Sequence, residues 1–182
     1  HREEIVKRAR GSVLEIGVGS SLNTKFYDYD QITDVTGIDP NESLLRIAKD
    51  NKSDNSKRVN LVSAVSEQLP FTNSRFDSVV VTFSFCTIPD PSEAIEEIKR
   101  VLKPGGDLHF CEHGLSENPK LQKWQRRLEP IWTPLAGGCH LSRDIFDLIG
   151  TTDFELHDHE TMYVDKIPKF VGYVYKGSAK KI

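Results

Sequence analysis

Val13-Leu14-Glu15-Ile16-Gly17-Val18-Gly19-Ser20-Ser21 is the stretch whose reading decides the fold. A nearly continuous apolar run ending in a glycine turn is the pattern of a parallel strand buried on both faces. The turn after such a strand is where a backbone must approach a ligand closely. Its glycines are few. A full G-x-G-x-x-G is absent because the sixth position is Leu22, so this turn does not read as the pyrophosphate cradle of a dinucleotide site. Glu15, two positions before Gly17, suits instead a ligand whose cationic amino acid part needs a nearby carboxylate.

Outward from this stretch the pattern repeats. Ser12 to Ile16, Asp34 to Ile38, Val59 to Ala64 and Ser78 to Phe83 read as buried strands, and Leu108 to Cys111 as a fifth. Between them lie helical patterns. Leu44, Leu45, Ile47 and Ala48 fit one helix face that Asn41 can cap. Asp90, Pro91 and Glu93 read as N-cap, first and third helical positions of a helix carrying Ala94, Ile95, Ile98, Val101 and Leu102. Lys103-Pro104-Gly105-Gly106 should end it and turn into the next strand. Pro119 to Pro134 carries Trp124, Leu128, Ile131 and Trp132 at helical spacing but contains Pro130 and Pro134, and reads as a broken helix and loop. Ser142 to Ile149 reads as a short helix, and Phe154 to Tyr163 with Lys169 to Tyr175 as a closing antiparallel pair. The expectation is an α/β chain with a doubly wound, mostly parallel seven-stranded sheet and a C-terminal antiparallel strand pair.

Asp39 ends the second strand in Thr36-Gly37-Ile38-Asp39-Pro40, 22 residues beyond Gly17. A carboxylate there can accept both ribose hydroxyls of a nucleoside. Strand-end solvation or helix capping is the alternative for Glu15 and Asp39 taken singly; the two at this spacing favour a ligand site.

The 182 residues, 37% hydrophobic and 28% charged, suit one globular domain spanning residues 1–182. A formal charge of -3 gives no electrostatic reason to expect nucleic acid. Cys86, Cys111 and Cys139 lack the spacing of a disulfide framework, which favours a reduced, cytoplasmic compartment. No apolar run is long enough to cross a bilayer, and His1 to Arg10 does not have the form of a secretory signal. Because the chain begins with His, a missing upstream segment is allowed for, and membrane association is expected only through such a segment. Oligomeric state is not legible.

The residues from 11 to 114 resemble a class I S-adenosylmethionine-dependent methyltransferase of the group that includes the ubiquinone and menaquinone C-methyltransferases. The likeness rests on the E-x-G-x-G turn, Asp39, Ser66-Glu67-Gln68-Leu69-Pro70-Phe71, Arg75-Phe76-Asp77-Ser78-Val79-Val80-Val81 and Arg100-Val101-Leu102-Lys103-Pro104-Gly105-Gly106. It implies a Rossmann-like methyltransferase fold with S-adenosylmethionine as cofactor and S-adenosylhomocysteine as product. The cofactor residues it implies are Glu15, Gly17, Gly19, Asp39, Pro40, Val65, Ser66, Glu67 and Phe83. Two departures stand out. Ser21 replaces a glycine usual in the turn, and Val65 replaces an acidic residue that often meets the adenine, which leaves the backbone around Val65 and Ser66 to hold it. Phe83 either flanks the cofactor or packs in the core.

Cys111-Glu112-His113, Trp124, Leu128-Glu129-Pro130-Ile131-Trp132, Gly138-Cys139-His140-Leu141-Ser142-Arg143 and Phe170-Val171-Gly172-Tyr173 are similar to the methyltransferase-like thiol S-methyltransferases. The acceptor this implies is a small apolar molecule, a thiol first, with a quinone or phospholipid headgroup as the alternative. His113 is the candidate catalytic residue, able to assist a thiol proton, or else a structural histidine. Trp124 and Trp132 line an acceptor pocket or pack their segment. Cys111, His113, Cys139 and His140 lack the paired spacing of a zinc site, so no metal is expected. A non-catalytic nucleoside-binding module is the competing class, which has no need of an intact Glu15, Gly17, Gly19 and Asp39.

Overall fold

The computed structural model describes residues 1–51 and 58–182. In chain order the elements are α1 (Arg2–Val6), β1 (Gly11–Ile16), β2 (Ile32–Asp39), α2 (Glu42–Asp50), β3 (Val59–Ser63), β4 (Phe76–Thr82), α3 (Pro91–Val101), β5 (Leu102–His113), α4 (Pro119–Leu135), α5 (Ile145–Gly150), β6 (Phe154–Tyr163) and β7 (Tyr173–Lys181). They build one seven-stranded sheet in the order β3-β2-β1-β4-β5-β7-β6. The first five strands pair in parallel, and β7 runs antiparallel to both β5 and β6. The expected Rossmann-like α/β sheet with its antiparallel closing pair is therefore present. The chain steps outward from β1 to β3 and then crosses back to β4. That reversal opens a crevice above the C-terminal ends of β1 and β4.

Burial on both faces explains the unbroken apolar runs. Val13, Val35 and Val80 pack on one side of the sheet, with Val6 and Ala9 from the N-terminal segment. Leu14, Ile16, Ile38, Val79 and Val81 face the other side, against Ile95 and Ile98 of α3 and Ile145 and Ile149 of α5. Asn41 caps α2 by accepting from the amides of Ser43 and Leu44, and Asp90 caps α3 with Pro91 at its start, as the sequence leads one to expect.

Three expectations are corrected. The fifth strand begins at Leu102, not Leu108. Leu102 pairs with Phe76 and Asp107 with Ser78, so Lys103–Gly106 bulge out of the ladder while Lys103 Nζ grips Asp77 Oδ1 at 2.7 Å. The segment Pro119–Leu135 is one helix and is not broken. Pro119 sits in its first turn behind the Asn118 cap, and Pro130 and Pro134 lie on its solvent side. The last strand is Tyr173–Lys181, displaced from the expected Lys169–Tyr175. Its polar residues suggest a surface terminus, yet Lys176 and Ser178 are themselves buried and each is partnered. Lys176 Nζ pairs with Glu4 at 2.5 Å and Glu160 at 2.8 Å, and Ser178 Oγ meets His109 Nδ1 at 2.8 Å. Gly177 fits there because a Cβ would lie 2.7 Å from that of His159. Among the described residues no helix is long and apolar enough to cross a membrane.

Candidate active site

The glycine turn sits at the mouth of the crevice. Gly17 and Gly19 adopt φ of +67° and +52°, in the left-handed region that favours glycine. A Cβ on Gly17 would meet Ser84 Oγ at 2.1 Å, whereas one on Gly19 would meet nothing within 4 Å. Gly17 is therefore needed by the fold, and Gly19 faces open space. Asp39 is buried at the end of β2, where its Oδ2 accepts from the Gly19 amide at 3.0 Å and its Oδ1 from the Asn41 amide at 2.8 Å. A carboxylate offers about four acceptor positions, so two are committed to holding the turn and two remain.

A cavity of about 580 Å³ opens beside this turn, within the roughly 300–1,000 Å³ usual for small-molecule sites. Gly17, Gly19, Asp39, Pro40, Val65, Ser66, Glu67 and Phe83 all line it. Ser84, Thr87, Ile88, Pro89 and Gly137 line it as well, none of which the sequence reading singled out. Their only signal is position, directly after β4 and directly after α4. Glu15 does not line this cavity but lies in an adjoining one of about 240 Å³ shared with Gly17, Gly19 and Phe83. Its Oε1 accepts from Asn23 Nδ2 at 2.9 Å and its Oε2 from the Tyr27 hydroxyl at 2.8 Å. Burial pushes its carboxyl up to about 7, against the pull of those two donors and of Arg2. Arg2, which also lines this cavity, sits 5.2 Å from the Phe83 ring.

Two non-glycine residues hold left-handed backbone at the site: Ser21 at φ 63° and Phe83 at φ 54°. Such conformations cost free energy and cluster where a surrounding structure imposes them. Ser21 stands where a glycine is usual, and its buried hydroxyl has no hydrogen-bond partner among the described residues. Phe83 is held by its amide, which donates to the Cys111 carbonyl at 2.9 Å. Its ring lies between the cavity and His113, with the two ring centroids 4.7 Å apart. His113 is not among the described residues lining either cavity; it stands one ring behind the wall. Burial holds its imidazole below its usual pKa, favouring the neutral form.

The loop after β4 is clamped from behind. Glu112, fully buried, accepts from the Ser84 amide at 2.7 Å, and burial pushes its carboxyl up to about 8. Arg143 donates to the carbonyls of Phe85 and Ile88, and the His140 amide donates to the Cys86 carbonyl at 2.7 Å. The stretch 138–143 thus holds the cavity wall in place, while His140 itself pairs with Glu129 at 3.2 Å. Trp132 packs edge-on against Phe170, and Trp124 points outward, so of the segment 124–140 it is Gly137 that reaches the cavity.

Residues 14–110 match the methyltransferase domain family, and the chain belongs to that family, with S-adenosylmethionine as its cofactor. It is 34% identical over 148 residues to thiol S-methyltransferase TMT1B of Rattus norvegicus, covering 79% of this chain and 59% of that protein. It is also 34% identical over 137 residues to the ubiquinone/menaquinone biosynthesis C-methyltransferase UbiE of Pseudomonas putida, covering 71% of this chain and 52% of that one. The crystal structure of a SAM-dependent methyltransferase from Methanosarcina mazei superposes with a TM-score of 0.72 at 25% identity, over 94% of this chain and 92% of that one. The chain spans a little over half the length of these two curated relatives.

Proposed function

We propose that this chain transfers the methyl group of S-adenosylmethionine to a small apolar acceptor, a thiol first, with a quinone or phospholipid headgroup as the second candidate. The observation that carries the reading is the mixed lining of the cavity. Its polar groups offer Asp39 for the ribose, the backbone around Val65, Ser66 and Glu67 for the adenine, and the Gly17–Gly19 turn for the methionine part, with Glu15 in the adjoining cavity near the methionine ammonium. The wall that Phe83, Ile88, Pro89 and Gly137 contribute is free of charged groups and suits an uncharged acceptor. The likeness to thiol S-methyltransferases over 148 residues supports the choice of acceptor.

In-line attack on a sulfonium methyl asks little covalent chemistry of a protein. Positioning and exclusion of water supply most of the rate. Phe83, fixed in its left-handed conformation, lines both cavities, and His113 sets the tilt of that ring from behind. His113 therefore acts as a positioning residue. Transfer of labelled methyl to alkyl thiols, quinols and phospholipids tests the acceptor, with the thiol reaction followed against pH for wild type and His113→Ala. The expected result is thiol turnover with a loss in His113→Ala that is even across pH. A loss confined to neutral pH and recovered as the thiol ionises would make His113 a proton acceptor instead. No turnover of any thiol would remove that acceptor.

A further inference from the structure

Helix α4 is attached to the fold by polar contacts and by the half-buried Leu121, Leu128 and Trp132, while a second set of apolar residues points away. Gln125, its one fully buried residue, accepts from the Ser116 amide at 2.9 Å and donates to the carbonyls of Gly114 at 3.0 Å and Phe170 at 3.1 Å. Glu129, the helix's single carboxylate, is turned the same way and accepts from the Ser142 amide at 2.7 Å. Trp124, Ile131 and Leu135 fall at i, i+7 and i+11 on another side, and they are 56%, 65% and 81% exposed. Beside that stripe Lys120, Lys123 and Arg127, at i, i+3 and i+7, are all exposed. The neighbouring loop adds an exposed Ile167 between Lys166 and Lys169. A solvent-facing helix ordinarily turns this arrangement round, so the face asks for a partner.

We propose that this face of α4 docks on the surface of an anionic lipid bilayer. An apolar stripe with a tryptophan, running alongside a row of cations, matches the depth profile of a bilayer interface: acyl boundary below, charged headgroups beside it. The charge selects among occupants. Two copies of this chain meeting through α4 would bring like rows of cations together, whereas phosphatidylserine headgroups neutralise them. Docking has a geometric consequence, because α4 ends beside Gly137, which lines the cavity. The cavity would then lie close to the lipid, where apolar acceptors concentrate. The inference stands on the helix surface and is independent of which acceptor is used.

The test is flotation of the purified chain with phosphatidylcholine vesicles that contain or lack phosphatidylserine, without cofactor or acceptor. In a Trp132→Phe background, Trp124 emission reports insertion. Binding is expected with phosphatidylserine and a blue shift of Trp124, both weakened by salt. Ile131→Ser and Leu135→Ser should each lower partitioning by about ten-fold, and Lys123→Gln and Arg127→Gln by about five-fold each. All four positions are exposed, so circular dichroism should remain unchanged. No binding to either vesicle overturns the proposal. So does self-association in vesicle-free sedimentation that Leu135→Ser abolishes, since the face would then belong to a second copy.

Discussion

Asp39 carries two duties in one carboxylate, and its substitution separates them. Asp39→Ala removes the anchor of the Gly19 amide as well as the two free acceptor positions, so affinity for S-adenosylhomocysteine in calorimetry should fall more than ten-fold, roughly 1.4 kcal/mol or more. Asp39→Asn keeps one acceptor oxygen and should fall between. Unchanged affinity in a folded Ala variant would take Asp39 out of the site. Ser21 tests the opposite situation, a residue that suits its place poorly. Ser21→Gly relieves the φ of 63° and removes an orphaned buried hydroxyl, against a greater loss of backbone entropy on folding. A net gain of about 1 kcal/mol is expected in denaturant unfolding. A loss would mean that the serine hydroxyl has a role the fold needs. Gly17→Val is a less clean probe of binding than the turn's spacing suggests, because the 2.1 Å approach to Ser84 threatens the fold itself; Gly19→Ala reads the ligand side of the turn.

At the scale of elements, the side-chain amide of Gln125 is the most deeply buried attachment of α4. Gln125→Leu keeps helix propensity but strands the Ser116 amide in a fully buried position, and should cost roughly 2–3 kcal/mol in chemical denaturation. Proteolysis should then cut first in α4. A cost below 0.5 kcal/mol, about the level of a surface change, would show that other contacts hold the helix. The same helix marks where the sequence became hard to read. β1, β2 and β4 were legible because burial on both faces forces a continuous apolar run, and α2 and α3 because Asn41 and Asp90 are local caps. The Gly17–Gly19 turn and Asp39 were legible because their spacing is set by one strand–turn–strand unit. Nothing local announces that Pro130 is tolerated, since that depends on which side of the helix meets the fold. Thr87, Ile88 and Gly137 were hidden for a related reason, as their place in the cavity is made by tertiary packing. β7 was misplaced because Lys176 and Ser178 find partners far away in sequence, in Glu4, Glu160 and His109.

For the molecule as a whole, Glu112 sets a pH dependence whose sign follows from its burial. Its folded carboxyl is raised from 4.5 to about 8, so the folded state keeps a proton that the unfolded chain releases. The stability it confers is full below 4.5 and is lost as pH rises toward 8. Glu15, raised to about 7, acts in the same direction. His109, lowered to about 4, works against them only below its ordinary 6.5. Between pH 6.5 and 8 these two carboxyls should therefore make stability fall with rising pH, Glu112 alone giving a slope that approaches 1.4 kcal/mol per unit in the lower part of that range. Glu112→Gln should flatten this slope in thermal or denaturant unfolding followed at several pH values. An unchanged slope would assign it to other groups.

The placement of β7 also orders events in time. Although it is the last of the seven strands in chain order, it lies inside the sheet, with residues Val174–Lys180 laddered to Asp107–His113 on one side and β6 on the other. On the ribosome, β1 to β5 can assemble as they emerge, but the free edge of β5 must wait through α4, α5 and β6 for its partner. During that interval the nascent chain exposes an unpaired strand carrying Leu108, Phe110 and Cys111, the kind of edge that recruits other chains. Completion of the fold thus waits until residue 181 has left the tunnel, and the burden on chaperones falls in the interval before that.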